Sequence, residues 1–404
     1  MNEKPLYGVK VLDFGQHGAG SACGKTLSDW GADVIKVEPF RGCGSRAAGL
    51  GLNLSIDPSD NIHHEMINSG KRGIAVNVKT PEGAQILDRL LSEADIFFSN
   101  YRLGALKKLG LDYETLSVKY PRLICGYLTA YGPVGPKVND PGFDSVAYWA
   151  YSGLTLDCGT KENGPFMTTP FGGGDMMTGM TLAAGLAACL YKQVTTGKGE
   201  VVYTSLFGTG CWQASCMIQA SVTGSVQYPR SINSLRSPIS NFFRTKDGEW
   251  FLTAVMDFVH QGPLIAHMVG HDELGDIFSD PAKMDEDSDT YLEMMRQFFI
   301  QYTWPEIDQM LTKIDLVHGL LQRTSEMWHN EQALENHYIY DATTRSGKKM
   351  PIISTPVQFG DRIPLPFRNA PLIGEHTREV LAEYGYTPAE IENLFEKNVI
   401  METR

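Results

Sequence analysis

Positive charge is in short supply. The chain carries 35 Lys and Arg against 47 Asp and Glu, for a net charge of −12. Such a balance argues against nucleic acid as a partner, while a local basic cluster can still hold a small anion. No run of about 20 uncharged apolar residues occurs, so no membrane span is expected. The segment after Asp175 comes closest, but its glycines and length suit a buried core helix. There is no CxxC pair: the seven cysteines are scattered at 23, 43, 125, 158, 189, 211 and 216. A structural zinc site therefore has no support, and no metal is expected. The adjacent His63 and His64 lack further ligands at suitable spacing and read as surface residues. The opening MNEKPLYGVKVLDFG has no secretory pattern, because Asp13 and the glycines interrupt its apolar run. With an odd cysteine count, this points to reduced thiols and a cytoplasmic location. Repeats and low-complexity segments are missing too. What is present is ordinary globular material, 404 residues with 42% hydrophobic and 20% charged, enough for a large core and two domains.

The N-terminal half alternates strand and helix. An apolar run over Val9–Phe14 is followed by a Gly/Ala/Ser-rich turn (Gly15–Gly24), a helix through Lys25–Trp30 and a second strand at Asp33–Val37. Strands near Gly73–Asn77, Asp95–Phe98 and Leu123–Leu128 continue the pattern, with a helix at Pro81–Glu93. Repeated βαβ units predict a parallel, doubly wound, Rossmann-like sheet with ligands at the carboxyl ends of the strands. From about residue 220 the character changes. Asn241–Thr253 reads as a hairpin turning at Asp247-Gly248, and Thr303-Trp-Pro-Glu306 opens a helix with a capping box. The expected fold class is α/β: a large domain over 1–205, a small α+β domain over 225–325, and a C-terminal segment over 340–404 that returns to the large domain.

The stretch Phe171–Gln193, FGGGDMMTGMTLAAGLAACLYKQ, stands out. Gly172, Gly173 and Gly174 permit a sharp turn and a close backbone approach, and a long run of good helix formers follows. Asp175 is thus expected at a helix N-terminus, where free N–H groups would keep its carboxylate ionised and available as a nucleophile. The same position also suits a simple helix cap.

Other glycine-rich patterns are poorer guides. Ala19–Thr26 fits a relaxed phosphate-loop pattern with Lys25 aimed at a phosphate, but no metal-holding acid follows at a second strand end, so a nucleotide-hydrolysing enzyme is a remote alternative. Gly18, Gly20 and Gly24 give GxGxxxG, an imperfect dinucleotide fingerprint, and Ser21 lacks the glycines of a hydrolase elbow. Two basic clusters in an acidic chain are more informative: Lys71, Arg72 and Lys79 around one strand, then Arg102, Lys107 and Lys108 after the next, with Asn100 and Tyr101 beside them. Arg and Lys pair with phosphates and an aromatic ring stacks on a purine, which points to a polyphosphate-bearing ligand.

Read together, GVKVLDFG (8–15), GADVIKVEP (31–39), NSGKRGIAVNVKTPEG (68–83), ADIFFSNYRLGALKKLG (94–110), DPGFD (140–144), GGGD (172–175), TTGKGEVV (195–202) and APLIGEHT (370–377) resemble the class III (formyl-CoA transferase/carnitine CoA-transferase) family. TPFGGGDMMTGMTLAAGLAACLYKQVTTG and MIQA (217–220) are most similar to its aryl-lactate and 2-hydroxyacid subgroup. The resemblance implies Asp175 as catalytic nucleophile and an aspartyl-CoA thioester. It implies CoA contacts from His17, Gly18, Ala19, Val76, Asn77, Lys79, Asn100, Tyr101, Arg102 and Lys108, and an oxyanion and acyl pocket at Gly172–Gly174. It further implies acyl-CoA and a small carboxylic acid as substrates, no permanently bound cofactor, and an interlocked homodimer.

The chain departs from formyl-CoA transferases at Gly18, where they carry glutamine, at Pro39, where they carry arginine, and at Ser234–Phe243, where their glycine-rich loop is absent. Formyl-CoA and oxalate are therefore not the expected substrates, and Gly18 leaves room for a bulkier acyl group. Met176, Met177, Tyr148 and Trp149 are candidate wall residues. The alternatives within the fold are another acid, such as carnitine or a bile acid, or a 2-methylacyl-CoA racemase using a His/Asp pair near His17.

Overall fold

The buried apolar runs of the N-terminal half form β1 (Lys10–Phe14), β2 (Asp33–Glu38), β3 (Arg72–Val76), β4 (Ile96–Ser99) and β5 (Ile124–Thr129), joined later by β6 (Val201–Ser205). In this computed structural model, which describes residues 4–161, 169–224, 228–231 and 237–403, they line up as β3-β2-β1-β4-β5-β6, every neighbour parallel. The strand order reverses between β1 and β4, and the crevice above that point is where a doubly wound sheet binds its ligand. The short strand Ile400–Met401 extends the sheet antiparallel to β3.

The described residues group into two compact units. The larger draws on 1–155, 168–219 and 328–404, the smaller on 156–167 and 220–327. In the smaller unit, Phe242–Arg244 pairs antiparallel with Trp250–Ala254, which in turn pairs with Val317–Leu320. Its core gathers Phe243, Phe251, Phe299, Ile307 and Leu311 from the sheet and the helices beside it. The capping box at Thr303 and Glu306 is formed. Residue 225 and the start of the Ser234–Phe243 loop lie outside the described residues.

Three helices of the larger unit matter for the site. Helix α1 (His17–Asp29) follows β1, α2 (Pro81–Glu93) follows β3, and α3 (Gly173–Thr196) precedes β6. The expected turn over Gly15–Gly24 is mostly helix: α1 starts at His17, and all ten residues from Ala19 to Ser28 are buried. Small residues are found there because the helix is enclosed. A Cβ added to Gly179 of α3 would come 2.6 Å from the Ala19 carbonyl oxygen and 2.7 Å from the Ala22 Cβ. A phosphate loop needs exposed N–H groups and a free lysine, whereas Lys25 is buried in mid-helix and bonded to Asp29. The nucleotide-hydrolase alternative is overturned on that ground.

The basic cluster on β3 is likewise mostly structural. Lys71 is fully buried, and its ammonium donates to Asp13 at 2.8 Å, the Ser21 carbonyl at 2.8 Å and Asn68 Oδ1 at 2.9 Å. Arg72 is spent on Asp33, Glu379 and Glu383. His64 too is buried, not on the surface: its Nδ1 faces Ser45 Oγ and the Asn68 amide. Burial alone would raise the Asp13 carboxyl, but the ammonium groups of Lys36 and Lys71 hold it below the usual carboxylate range. Asp13 Oδ1 accepts the N–H of Gly15 at 2.7 Å, and Lys36 donates to the Gly15 carbonyl at 3.0 Å. This buried network fixes the turn that leads from β1 into α1. Replacing Gly179 with valine forces the two helices apart. Urea unfolding is expected to show a loss of about 1–3 kcal/mol, the usual cost of overpacking.

Candidate active site

Asp175 lies in the first turn of α3, whose N-cap, Gly172, sits at φ 69° and ψ 10°. This left-handed conformation is open to glycine and strained for most other residues. Gly174 leaves no space for a side chain of its own, since a Cβ there would fall 2.3 Å from the ring of Tyr148, and at Gly173 a Cβ would lie tightly against Pro170 at 3.3 Å. The proximity of α1 and α3 brings the Asp175 carboxylate onto the start of α1. A Cβ on Gly18 would lie 2.0 Å from Asp175 Oδ2, and the N–H of Ala19 donates to the carboxylate.

The free N–H groups of α3 do not serve Asp175. Asp144, from the DPGFD motif, accepts the N–H of Asp175 at 2.9 Å and draws also on those of Gly174 and Gly172. Gly173 donates to the Pro170 carbonyl at 3.0 Å. A second carboxylate therefore caps the helix and stands close to the first. Burial, then the like charge of Asp144, pushes the Asp175 carboxyl up to about 7, against the lowering effect of the Ala19 N–H. The expectation that the helix end keeps Asp175 fully ionised is corrected: the helix end stabilises the wrong carboxylate for that.

The other expected site residues gather at the carboxyl edge of the sheet. His17, at φ 52°, opens α1, with its ring edge-on to Phe143 at 5.4 Å. Asn100, just past β4, ties that edge to the β1–α1 turn. Its Oδ1 accepts the Gln16 N–H at 2.6 Å, and its Nδ2 donates to the Gln16 carbonyl at 2.8 Å. Tyr101 is half-buried against Phe14, ring to ring at 5.2 Å. Val76 ends β3 as a buried core residue, Asn77 follows it, and Lys79 is exposed. Arg102 and Lys108 flank the next helix, both exposed. Tyr148 and Trp149 are buried beneath the glycine turn rather than lining a pocket, while Met177 is exposed. In the sequence, Asp144 stands out only as part of the DPGFD motif. Its contact with Asp175 spans 31 residues of sequence, and no local pattern marks it.

Residues 6–377 match the family model described as CoA-transferase family III. The chain belongs to CoA-transferase family III. It is 34% identical to the (R)-2-hydroxy-4-methylpentanoate CoA-transferase of Clostridioides difficile, over 98% of this chain and 99% of the relative. It is 33% identical to the cinnamoyl-CoA:phenyllactate CoA-transferase of Clostridium sporogenes, over 99% and 98% respectively. The crystal structure of a CAIB/BAIF family protein from Brucella suis matches it with a TM-score of 0.78 at 25% identity, covering 95% of this chain and 100% of that one. As a CoA-transferase of this family the protein works on CoA thioesters. Among the described residues no helix is long and apolar enough to cross a membrane, and no group of metal-ligating side chains is assembled.

The two carboxylates have consequences for pH. With Asp175 titrating near 7, kcat/KM for the acyl-CoA donor should rise through that region and level off above it, since this profile reports the free enzyme. Asp144→Asn removes the like charge and should move the rising limb to lower pH. Stability runs the other way. Folded Asp175 holds its proton above its unfolded pKa, so its contribution is lost as pH rises towards 7. Asp175→Asn should therefore melt higher than the parent, by a margin that grows between pH 4 and pH 7 and then stays constant.

Proposed function

We propose that this enzyme moves CoA from an acyl-CoA to a 2-hydroxy acid of the aryl-lactate or 2-hydroxyisocaproate type, with Asp175 as the nucleophile. The observation that carries the reading is the Asp175 carboxylate, half-buried at the reversal point of the sheet, pressed against Gly18 and the Ala19 N–H. The two relatives named for a 2-hydroxy acid and an aryl-lactate support the acceptor class.

The chemistry follows from the charges. A carboxylate oxygen of Asp175 attacks the donor thioester carbonyl, the C–S bond breaks, and CoA leaves as a thiolate. The thiolate attacks the Asp175 acyl carbon of the mixed anhydride, releasing the donor acid and leaving an aspartyl-CoA thioester. The acceptor carboxylate attacks that thioester, and the freed thiolate then takes the acceptor acyl group, restoring Asp175. A carboxylate suits this exchange because its acyl derivatives lie close in energy to those being exchanged, provided water is kept out. Ionised Asp175 is destabilised by burial and by Asp144, and acylation removes its charge, so both effects favour attack. Because the N–H groups of Gly172, Gly173 and Gly174 are engaged by Asp144 and Pro170, the glycine turn is assigned to shaping the acyl pocket. Oxyanion stabilisation falls to the first turn of α1, where the Ala19 N–H is released once Asp175 turns to its substrate.

His17, Gly18 and Ala19 then border the reacting thioester. Asn77 and Lys79 after β3, and Tyr101, Arg102 and Lys108 after β4, approach the nucleotide and phosphates. Val76 takes part through its backbone and Asn100 through the turn it holds. The enzyme is assigned no permanent cofactor, a cytoplasmic location and an interlocked homodimer, with the large unit binding CoA. Incubation with acyl-CoA alone should give a covalent adduct on the Asp175 peptide, seen by mass spectrometry and trapped by hydroxylamine. Asp175→Asn should lose the adduct and at least about a thousandfold in kcat, as expected for a lost nucleophile. Racemisation without an adduct would instead favour the 2-methylacyl-CoA racemase reading.

A further inference from the structure

We infer that the segment Gly44–Asn53, with Phe143 and Phe171, forms an apolar wall that selects the side chain of the acceptor acid; the inference rests on the CoA-transferase reading of Asp175. The segment is a short helix (Ser45–Ala48) running into a 3-10 turn (Gly49–Leu52). It is attached on both sides of the nucleophile. At one end Gly44 packs on His17, where an added Cβ would meet the imidazole Cε1 at 2.1 Å. At the other, a Cβ on Gly51 would sit 3.3 Å from the ring of Phe171. His17 precedes Gly18, which touches Asp175, and Phe171 precedes the glycine turn. Phe143 joins the two sides: its ring meets His17 at 5.4 Å, and its neighbour Asp144 accepts the Asp175 N–H. His63 closes the far side, edge-on to Phe171 at 5.7 Å.

Apart from Asn53 at its end, the side chains this arrangement leaves bare are apolar. Leu50 is 59% exposed, Leu52 44%, Phe143 63% and Phe171 53%. The segment's one cation, Arg46, is held by Glu38 and the Pro371 carbonyl. Bare leucine and phenylalanine side chains on segments linked to the nucleophile through His17 and Asp144 offer an acceptor hydrophobic contact and no counter-charge for a second carboxylate. They fit a branched alkyl or phenyl group on the 2-hydroxy acid and disfavour dicarboxylates. The wall is not the one expected from sequence: Tyr148 and Trp149 are core residues.

The test compares kcat/KM for phenyllactate, 2-hydroxyisocaproate, lactate and succinate in the parent enzyme, Phe171→Ala and Leu50→Ser. The acyl-CoA adduct on Asp175 is measured in each. The wall predicts that both variants lose about tenfold in kcat/KM for the two bulky acids, mainly through KM, and less than about threefold for lactate, in line with what a few buried carbons contribute. The adduct should form in all three proteins. Equal losses for every acid, or unchanged ratios in both variants, would overturn the wall while leaving the transferase reading intact. A parent enzyme that prefers succinate would also overturn the wall, whereas one that forms no adduct would remove the reading on which the wall rests.

Discussion

The start of α3 lies so close to α1 that glycine is required at the contact. Gly179 has no room for a methyl group against Ala19 and Ala22, and Gly18 has none against Asp175. This approach does two things together. It buries two helices against each other, where small residues permit dense packing. It also places a carboxylate from one helix over the N-terminal turn of the other, at the reversal point of the sheet. Were the helices a side chain's width further apart, Asp175 would lose the Ala19 N–H and much of its burial.

The position of α1 rests in turn on charge. Asp13, Lys36 and Lys71 are all fully buried within the larger unit and bonded to one another and to the turn at Gly15. Ions so placed are costly to desolvate, and the cost is offset because both Asp13 oxygens and all three Lys71 protons have directed partners, while Lys36 lies 3.6 Å from Asp13 and donates to the Gly15 carbonyl. Such a network holds one geometry poorly if any member is removed. Its value here is the fixed path it gives the chain from β1 into α1, with Asn100 clasping the same turn from β4.

The pairing of Asp144 with Asp175 turns a helix N-terminus to an unusual use. Burial lifts the Asp144 carboxyl above the usual carboxylate range, and the first N–H groups of the helix offset part of that rise. Asp175 receives the repulsion with only the Ala19 N–H to offset it. In the proposed role of Asp175, a carboxylate held at higher energy in its ionised form, and neutral once acylated, has part of its activation built into the resting fold. Lys71 and Arg72 show the opposite economy: residues of a type suited to phosphate are committed to partners within the chain, while Lys79, Arg102 and Lys108 stay exposed.

Much of this was present in the order of residues. Alternating apolar runs and helix signals suffice for a parallel sheet, because strands covered on both faces must be apolar throughout. The capping boxes and the glycine turn before Asp175 are local and legible for the same reason: each depends on a few adjacent residues. What the sequence could not reveal is which groups meet across long separations. The glycines of α1 look like a loop until α3 is laid against them, Lys71 looks like a phosphate ligand until Asp13 is found beside it, and Asp144 looks like part of a turn. By itself the sequence determined the strands, the starts of helices with a capping signal and the candidate nucleophile, but not the start of α1. Only the tertiary structure decided the environment of that nucleophile, since burial and the distance between two carboxylates are properties of packing and not of neighbouring residues.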